Sequence, residues 1–561
     1  MKPEKKIRER VYYKDVREMV EDIGDRWADR YAYSFRISPR DKEVVKKTYP
    51  ELRDEVRALS TAFINKGIAG KHITLIGKYS YNWVLTYYAS MCTASVLIPL
   101  DKDWTAADLT ATAQRADTEV LIVDKAIKEK GEEIAAALGV ELLITEDDID
   151  ALVAEGKEAF KADSAPYYAT VIDPDALALL VFTSGTTGKG KGVMLSQKGI
   201  TWDLYDVVQY IDFSTKSIGV LPPHHTYCSS VSIYGQNSVG IEVYISSGLT
   251  YVSREIKEQQ PGHIVLVPLY VETFYRKIQA SLKEKGKTKL VYRMIKVSNF
   301  LRKLGIDLRK KFFGQIMEAF GGKLDHLVCG GAPINQDIID FFDGIGVTIL
   351  NGYGITECSP LISVNHSYRI VDGSVGFAID GDEIRIDEPN EDGEGEICVK
   401  GPNVMLGYFK DEEATKEAMT EDGYFRTGDY GKITKEGAIA ITGRKKNLII
   451  LSNGKNVYPE EIESEFAAVP GVLDTIVYEG KSKRGMEHNA IVAEFYLDPD
   501  FCKKEGIEDK KAYIKKYVDA YNSNPATVPY KKIQVTKVRD EDFPKNTLRK
   551  IMRFKLDMTI D

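Results

Sequence analysis

Apolar and polar positions alternate along the chain in a way that predicts alternating strands and helices. Short apolar runs typical of buried strands occupy residues 72–77, 120–124, 178–184, 263–268, 325–331 and 346–354. Amphipathic stretches with helical spacing, such as residues 52–67, lie between them. Because this alternation is typical of parallel sheets covered by helices, the pattern predicts an α/β fold.

The pattern changes after about Gly373. Residues 376–388, 393–401 and 431–444 form short runs separated by Gly and Asp, which predicts antiparallel strands. After Arg444 an α+β pattern begins, with a helix opening at Pro459, strands over 473–481 and 488–498, and a helix over 510–523. We therefore predict a boundary at Lys445–Lys446, which separates a domain of residues 1–445 from one of residues 446–561.

The longest uncharged stretch, Tyr79–Leu100, is long enough to cross a membrane. It contains Asn82, several Ser and Thr residues, and Pro99 close to its end. This composition favours a buried helix that leads into a buried strand.

Composition and charge exclude several classes of protein. With 561 residues, 43% of them hydrophobic and 29% charged, the chain is not mostly disordered and is too long for a single core. Its net charge of −8 does not suggest binding along a nucleic-acid backbone. The six cysteines lie far apart without a CxxC pair, which is neither a disulfide framework nor a zinc motif and suits the cytoplasm. The charged N-terminal region lacks the apolar core of a signal peptide.

One loop carries the features of a phosphate-binding site. A buried strand leads into Thr183–Lys191, a run of hydroxyls, glycines and two lysines. Glycines let backbone N–H groups approach phosphate oxygens, while hydroxyls and lysines add donors and charge. Residues 185–191 match the spacing GxxxxGK, but Gly192 stands where a Walker loop needs a Ser or Thr. A P-loop NTPase is therefore disfavoured, and the alternative is a flexible glycine loop.

The segment TSGTTGKGKGVMLS resembles the signature loop of the adenylate-forming (AMP-binding) enzymes, which include acyl-CoA synthetases, luciferases and peptide-synthetase adenylation domains. The family usually has Pro at Gly190, and this replacement should loosen the loop. The whole layout most resembles bacterial long-chain fatty acyl-CoA synthetases. Further segments resemble family motifs in family order: Cys329–Pro333, Asn351–Cys358, Gly423–Asp429, Gly443–Asn447, Ser452–Glu461 and Phe543–Arg553.

The resemblance implies a fold and a reaction. The fold is a large N-terminal domain of two parallel-type αβ subdomains and a small β-rich subdomain, followed by a small mobile α+β C-terminal domain. In the reaction a carboxylate attacks the α-phosphate of ATP, giving an acyl-adenylate and pyrophosphate, and a thiol, expected to be that of coenzyme A, then attacks the adenylate. The expected binding residues are Thr183, Ser184, Gly185, Thr186, Thr187, Gly188, Lys189, Gly331, Ala332, Pro333, Asn351, Gly352, Tyr353, Gly354, Asp429, Arg444, Lys446 and Gly454.

The resemblance also implies roles for individual residues. Glu357, with Ser184, is expected to bind Mg²⁺, and Thr356 to donate to the α-phosphate. Asp429 is expected to accept the ribose hydroxyls, and Tyr353 to offer its face to adenine. A turn aspartate and a core aromatic are the respective alternatives. Arg444 is expected to act as a fixed cation for ribose or phosphate.

Lys550 is the expected catalytic lysine of adenylation, holding a carboxylate oxygen and the bridging phosphate oxygen. The family usually has Gly where Arg549 stands, and a solvated basic face is the alternative. Lys446 occupies the hinge position, and Gly454 would let pantetheine pass close to the backbone. The domain would rotate between the two half-reactions.

His225 resembles the histidine of the family's acid pocket, with a structural histidine as the alternative. Residues 224–241 contain no Asp or Glu to neutralise an ammonium group, so an α-amino acid is not expected. A medium- or long-chain fatty acid fits the layout. The polar run after His225, from Ser229 to Ser238, would suit a shorter, aromatic or polar acid if it lines the pocket, and would mean nothing if it faces elsewhere.

Three functions stay open at this point. The first is an acid–CoA ligase, the second an adenylate-forming enzyme that delivers the acyl group to a carrier protein, and the third a nucleotide-binding regulatory protein without turnover. The sequence leaves the oligomeric state open, and peripheral membrane contact is compatible with it.

Overall fold

A computed structural model describes residues 7–9, 11–183, 190–451, 456–480, 490–545 and 551–560. The strands β1 to β25 are, in chain order, Tyr31–Phe35, Val45–Thr48, His72–Ile76, Val96–Leu100, Val120–Val123, Glu141–Ile144, Leu177–Phe182, Gly192–Ser196, Lys216–Gly219, Glu242–Ile245, His263–Leu266, His326–Cys329, Thr348–Gly354, Leu361–Val364, Phe377–Ala378, Glu383–Asp387, Gly395–Lys400, Gly407–Tyr408, Phe425–Ile433, Ile439–Arg444, Ile449–Ile450, Asn456–Val457, Val472–Gly480, Ala490–Leu497 and Val535–Arg539.

The helices α1 to α18 are, in chain order, Val16–Arg26, Tyr49–Asn65, Tyr81–Cys92, Ala106–Arg115, Lys128–Leu138, Asp148–Ala162, Ala165–Ala169, Gln197–Val207, Gln236–Ser238, Val252–Gln259, Pro268–Glu284, Thr288–Lys303, Arg309–Met317, Gln336–Ile345, Glu412–Ala418, Pro459–Phe466, Pro499–Glu505 and Lys510–Ser523. A π-helical stretch, Cys228–Gly235, and short 3₁₀ turns, among them Thr356–Cys358 and Lys445–Asn447, lie between them.

Local chemistry fixes where these elements begin. At the start of α2, the Thr48 hydroxyl accepts from the Glu51 N–H while the Glu51 carboxylate accepts from the Thr48 N–H. This reciprocal capping box supplies partners for backbone donors that a helix leaves open at its first turn. Pro50, at the start of α2, has the fixed φ that suits a first helical turn.

Two large sheets of mostly parallel strands form the N-terminal part. One has the order β15-β14-β13-β12-β11-β9-β10-β1-β2, in which the strands from β13 to β1 pair in parallel. The other has the order β18-β8-β7-β4-β3-β5-β6, in which the strands from β7 to β6 pair in parallel. The predicted α/β class with two parallel-type sheets is confirmed.

The remaining sheets are small. Strands β16, β17, β19 and β20 form an antiparallel sheet, as the Gly-rich and Asp-rich pattern predicts. In the C-terminal part, β23, β24 and β25 form a sheet with α16 and α18 around a core of their own. The β-rich piece and the α+β part are therefore also confirmed.

The long uncharged stretch 79–100 is the buried helix α3 followed by the buried strand β4, as predicted. On α3, Tyr88 donates to Asn237 Oδ1 at 2.7 Å, and Tyr33 of β1 donates to the same oxygen. The helix thus connects the two large sheets. Among the described residues, no helix is both long enough and apolar enough to cross a membrane.

Candidate functional site

The predicted glycine segments meet at the carboxyl edge of the nine-stranded sheet. Strands β12 and β13 pair with Cys329 opposite Asn351, which places the residues after Cys329 beside Gly352. A Cβ added at Gly330 would lie 3.3 Å from the Gly352 carbonyl oxygen and 3.5 Å from the Tyr227 hydroxyl. Ligands of α/β sheets bind at such carboxyl edges. The segment that follows, Gly331, Ala332 and Pro333, is exposed there.

Asn351 provides an acceptor at this edge. Its Oδ1 is buried and meets no hydrogen-bond donor in the part of the chain that the structure describes. A buried amide oxygen without a donor costs free energy, so its presence favours a ligand that supplies one. An exocyclic amino group, as on adenine, fits this acceptor.

Two residues further along β13, the side chain of Tyr353 contacts the strand pair β19–β20. Its hydroxyl donates to Asp429 Oδ2 at 2.6 Å, and Arg444 Nε lies 2.8 Å from Asp429 Oδ1. Asp429 and Arg444 are register partners on the two strands, and the Asp429 side chain is 4% exposed. Burial, reinforced by the Asp429 carboxylate, raises the pKa of Tyr353 well above its usual value. The structure therefore brings these three predicted residues together, with the tyrosine as donor.

Glu357 lies in the 3₁₀ turn that also contains Thr356 and follows β13. The Tyr408 hydroxyl donates to Glu357 Oε1 at 3.0 Å, and Lys191 Nζ lies 4.5 Å from the Tyr408 ring centroid. Burial, followed by the charge of Glu357, raises the pKa of Tyr408. Sequence reasoning missed Tyr408 because only the pairing of β18 with β8 brings it to this place.

Both ends of the predicted phosphate loop are held in place. The Thr183 N–H donates to the Lys191 carbonyl at 3.0 Å, and Arg115 Nη2 donates to the Gly190 carbonyl at 2.7 Å. A Cβ at Gly190 would lie 2.2 Å from the Thr183 carbonyl oxygen, so a side chain here would force a shift. The predicted residues Ser184, Gly185, Thr186, Thr187, Gly188 and Lys189 lie outside the described residues, as do Gly454 and Lys550.

His225 precedes the π-helical stretch Cys228–Gly235, and its carbonyl accepts from the N–H groups of Cys228 and Ser229. Its ring centroid lies 4.1 Å from that of His224. Sequence reasoning gave His224 no role, yet its Nε2 lies 3.6 Å from Asp101 Oδ2. Burial lowers the pKa of His224 to about 4, so it is neutral near pH 7.

The polar run after His225 is buried and makes internal hydrogen bonds. Ser230 Oγ donates to the Ser359 carbonyl at 2.8 Å, and Ser229 Oγ donates to the Thr226 carbonyl at 3.3 Å. Asn237 Oδ1 accepts from two tyrosines of the core, and Gln236 Nε2 donates to Ser217 Oγ at 3.2 Å. Most of these polar groups bond to residues of the core, although Gln236 Oε1 meets no donor among the described residues, so their polarity alone does not indicate a polar acid pocket.

The predicted hinge follows directly on the Asp429 cluster. Lys445 Nζ pairs with Glu396 Oε2 at 2.7 Å. Lys446 is half-buried, and burial together with the nearby Arg444 lowers its pKa. Arg553, near the C-terminus, also lies close enough to lower that pKa. The Asp429 cluster and Arg553 of the C-terminal part thus approach each other at Lys446.

Comparisons with known proteins identify the family of this chain. The family described as AMP-binding enzyme matches residues 20–409. Long-chain-fatty-acid–CoA ligase 5 of Rattus norvegicus is 27% identical over 504 residues, which covers 82% of this chain and 73% of the relative. Long-chain-fatty-acid–CoA ligase FadD15 of Mycobacterium bovis is 26% identical over 511 residues, which covers 83% and 84%. Long-chain-fatty-acid–[acyl-carrier-protein] ligase AEE15 of Arabidopsis thaliana is 27% identical over 553 residues, which covers 84% and 75%.

Among solved structures, ATP-bound MatB from Rhodopseudomonas palustris superposes with a TM-score of 0.73 at 23% identity, covering 96% of this chain and 97% of that one. This similarity concerns the fold alone. The family match spans more than half of the chain and includes Asn351, Tyr353 and Glu357. This protein therefore belongs to the AMP-binding enzyme family.

Proposed function

We propose that the protein is an ATP-dependent carboxylic acid–CoA ligase. A carboxylate oxygen bonds to the α-phosphorus of ATP as pyrophosphate leaves, and the sulfur of coenzyme A then bonds to the acyl carbon as AMP leaves. The observation that carries the proposal is the convergence of Asn351, Tyr353, Asp429 and Arg444 at one sheet edge. It offers an acceptor for adenine and a buried carboxylate for ribose hydroxyls.

Charge stabilisation would accelerate the first step, since two anions must meet. Thr356 and the loop residues Thr183–Lys189 would donate to phosphate oxygens, and Lys550 would neutralise the reacting oxygens. Arg444 pairs with Asp429 and would add a cation beside the ribose. Among the described residues, a Cβ at Gly331 would meet only Val267 Cγ1 at 3.7 Å, so Gly331–Pro333 would leave room for the nucleotide to lie against the backbone. The Cβ positions of Gly352 and Gly354 instead face the carbonyls of Ser363 and Pro360.

Glu357 fits a magnesium ion, with Ser184 as the second protein ligand proposed from the sequence. Its carboxylate supplies the oxygen ligand that Mg²⁺ prefers, and Tyr408 orients it. Within the described residues no group of three or more His, Cys, Asp or Glu could hold a metal, so phosphate oxygens and water would complete the coordination. When bound, the ion would neutralise charge on the phosphates.

We propose a medium- or long-chain fatty acid as the substrate, with His225 at the acid. Two findings support this choice: the relatives are named for long-chain fatty acids, and the polar side chains after His225 bond internally. An aromatic or other acid is the alternative. Transfer to a carrier protein is a second candidate, favoured by the similarity to the acyl-carrier-protein ligase.

Residues 446–561 would form a domain that rotates at Lys446, so that Lys550 serves the first half-reaction and Gly454 faces the thiol in the second. The six cysteines are buried free thiols, which supports a reducing compartment such as the cytoplasm. Peripheral contact with a membrane would suit a lipid substrate.

The experiment incubates the purified protein with ATP, Mg²⁺ and coenzyme A and a panel of fatty and aromatic acids. We expect AMP, pyrophosphate and an acyl-CoA, with the highest kcat/KM for a fatty acid. Formation of ADP would refute the proposal. Replacing coenzyme A by acyl carrier protein separates the two acceptors, because only one of them should become acylated at a useful rate. Nucleotide binding without product with any acid would instead favour a regulatory role.

A further inference from the structure

Strand β23 connects the N-terminal part of the chain to both ends of the segment that contains Lys550. Lys545 precedes residues 546–550, and its Nζ lies 2.6 Å from Asp474 Oδ2 on β23. Arg553 follows the segment, and its Nη1 donates to the Val477 carbonyl of the same strand at 2.7 Å. Lys545 and Ile551 also pair as an antiparallel bridge, so the two ends are close together.

The first residue of β23 is held by the other part of the chain. Arg276 of α11 donates through Nη1 to the Val472 carbonyl at 3.1 Å. The same guanidinium is close enough to Asp474 to oppose the rise in that group's pKa. One cation of α11 therefore reaches the start of the strand on which both ends of the lysine segment are anchored.

Helix α11 is anchored to the nine-stranded sheet through the preceding strand β11. It begins at Pro268, directly after β11, whose Leu266 carbonyl accepts from the Tyr227 hydroxyl beside Gly330. Arg276 lies eight residues into the helix, about 12 Å along its axis. The Arg276 side chain is 25% exposed and the Asp474 side chain 19%, so water screens the contact only in part.

A second contact on the same helix is of a different kind. Lys283 Nζ lies 2.6 Å from Glu505 Oε2, but the two side chains are 66% and 30% exposed. Exposed pairs of this kind contribute little free energy. Glu505 belongs to α17, and no hydrogen bond or ion pair within the described residues joins it to Lys545 or Arg553. Lys283 is therefore a matched control, because it is a cation on the same helix that contacts the C-terminal part at α17 and not at β23.

We propose that Arg276 is a positioning residue for adenylation: it holds β23, and with it Lys545 and Arg553, which flank the expected catalytic lysine in the sequence, against α11. The inference rests on the proposed two-step reaction. Arg553 lies 3.8 Å from Glu460, whose carboxylate accepts from Asn447 in the turn that contains Lys446, and this contact agrees with the proposal. The contact must open before the C-terminal part can rotate for the thiol step, so Arg276 should matter for one half-reaction only.

The test compares Arg276→Met, Arg276→Lys and Lys283→Met in the full-length enzyme. Adenylation is measured by ATP–pyrophosphate exchange, and thiolation by transfer from a supplied acyl-adenylate to coenzyme A. We expect Arg276→Met to lower the exchange rate about tenfold and to leave thiolation unchanged or faster. Arg276→Lys should recover part of the loss, because it retains the charge but loses the planar donor geometry. Lys283→Met should stay within twofold of the wild type.

A second readout does not depend on catalysis. Spin labels on Lys128→Cys and Lys504→Cys, both on exposed helix surfaces, report the distance between α5 and α17 by pulsed electron paramagnetic resonance. With ATP bound, the wild type should show one dominant distance, and Arg276→Met should broaden the distribution. Melting temperatures exclude general unfolding.

Three outcomes would overturn the inference. They are an equal loss of both half-reactions in Arg276→Met, an equal effect of Lys283→Met, and an unchanged distance distribution. A wild type that adenylates no acid would instead contradict the proposed function, and the distance measurement would still decide whether Arg276 holds β23.

Discussion

The sheet edge around Tyr353 and the contact between α11 and β23 each use a guanidinium as donor, but they differ in burial and in the acceptor. At the edge, Asp429 is 4% exposed and receives bonds of 2.6 and 2.8 Å from two side chains. At the contact, Asp474 is 19% exposed, and Arg276 donates to a backbone carbonyl at 3.1 Å. Buried, fully bonded groups suit a fixed binding site, while a partly exposed contact can open and close.

The largest effect on adenylation should come from replacing Lys550, the expected catalytic lysine. Lys550→Ala should lower ATP–pyrophosphate exchange by about 10²- to 10³-fold, the usual cost of removing one charge-stabilising donor. Thiolation of a supplied acyl-adenylate should stay near the wild-type rate, since that step does not need the lysine. Lys504→Ala, an exposed cation of the same part, is the control. Equal loss in both steps would mean that the lysine has another role.

The sheet edge around Tyr353 and Asp429, which we call the fixed region, should respond differently to substitution. Asp429→Asn keeps the shape of the side chain but removes the charge that faces Arg444 and accepts from Tyr353. We expect the KM for ATP to rise by about 10- to 100-fold, because a buried charged acceptor is lost. Use of the supplied acyl-adenylate should weaken as well, since its AMP moiety occupies the same site. A KM within twofold of the wild type would show that Asp429 does not bind the nucleotide.

Tyr408 lies at the margin of the fixed region, and its removal should have a smaller effect. Tyr408→Phe deletes the 3.0 Å bond to Glu357 and keeps the ring that faces Lys191. The Mg²⁺ concentration for half-maximal exchange should rise by about three- to tenfold, which corresponds to the net contribution of one typical hydrogen bond. Tyr424→Phe, which deletes an exposed bond to Glu383, should change nothing. An unchanged Mg²⁺ requirement in Tyr408→Phe would separate Glu357 from the metal.

The same comparison explains how far the sequence could predict this molecule. The fixed region follows from local signals, because strands that end in glycines are readable in the sequence, and parallel pairing then brings Asn351, Tyr353 and their neighbours to one edge. Tyr408 has no such signal, since it depends on antiparallel pairing with a strand some 200 residues earlier in the chain.

The hydrogen-bond partners of polar residues cannot be predicted from the sequence in the same way. The run around Ser230 and Asn237 suggests a polar pocket as long as its partners are unknown, and those partners are a distant carbonyl and two tyrosine hydroxyls. The Arg276 contact was equally hidden, because its acceptor is a backbone carbonyl, which every residue possesses. Hydrogen bonds between distant segments are therefore the part that single-sequence patterns leave undetermined.

The smallest effect should be a pH dependence of the contact between α11 and β23. Burial raises the pKa of Glu272 to about 7; Arg276 on its own helix opposes this shift, and Asp474 on β23 adds to it. When β23 moves away, the Asp474 charge leaves and the pKa should fall towards the usual value of a glutamate. The closed contact thus binds the proton more tightly, so its stability is highest below the open-state pKa and falls as the pH rises through about 7.

The ratio of adenylation to thiolation should therefore fall about two- to threefold between pH 6 and pH 8. Ionisation of the coenzyme A thiol also favours thiolation at higher pH, so the wild type alone cannot assign the cause. Glu272→Gln replaces the titrating carboxyl group by an amide of similar volume. It should remove only that part of the pH dependence of the ratio that comes from the contact between α11 and β23. The spin-label distances, measured without coenzyme A, give the same comparison free of the thiol. If these distances change with pH equally in Glu272→Gln and in the wild type, Glu272 does not control the contact, and another group at this interface must be the one that titrates.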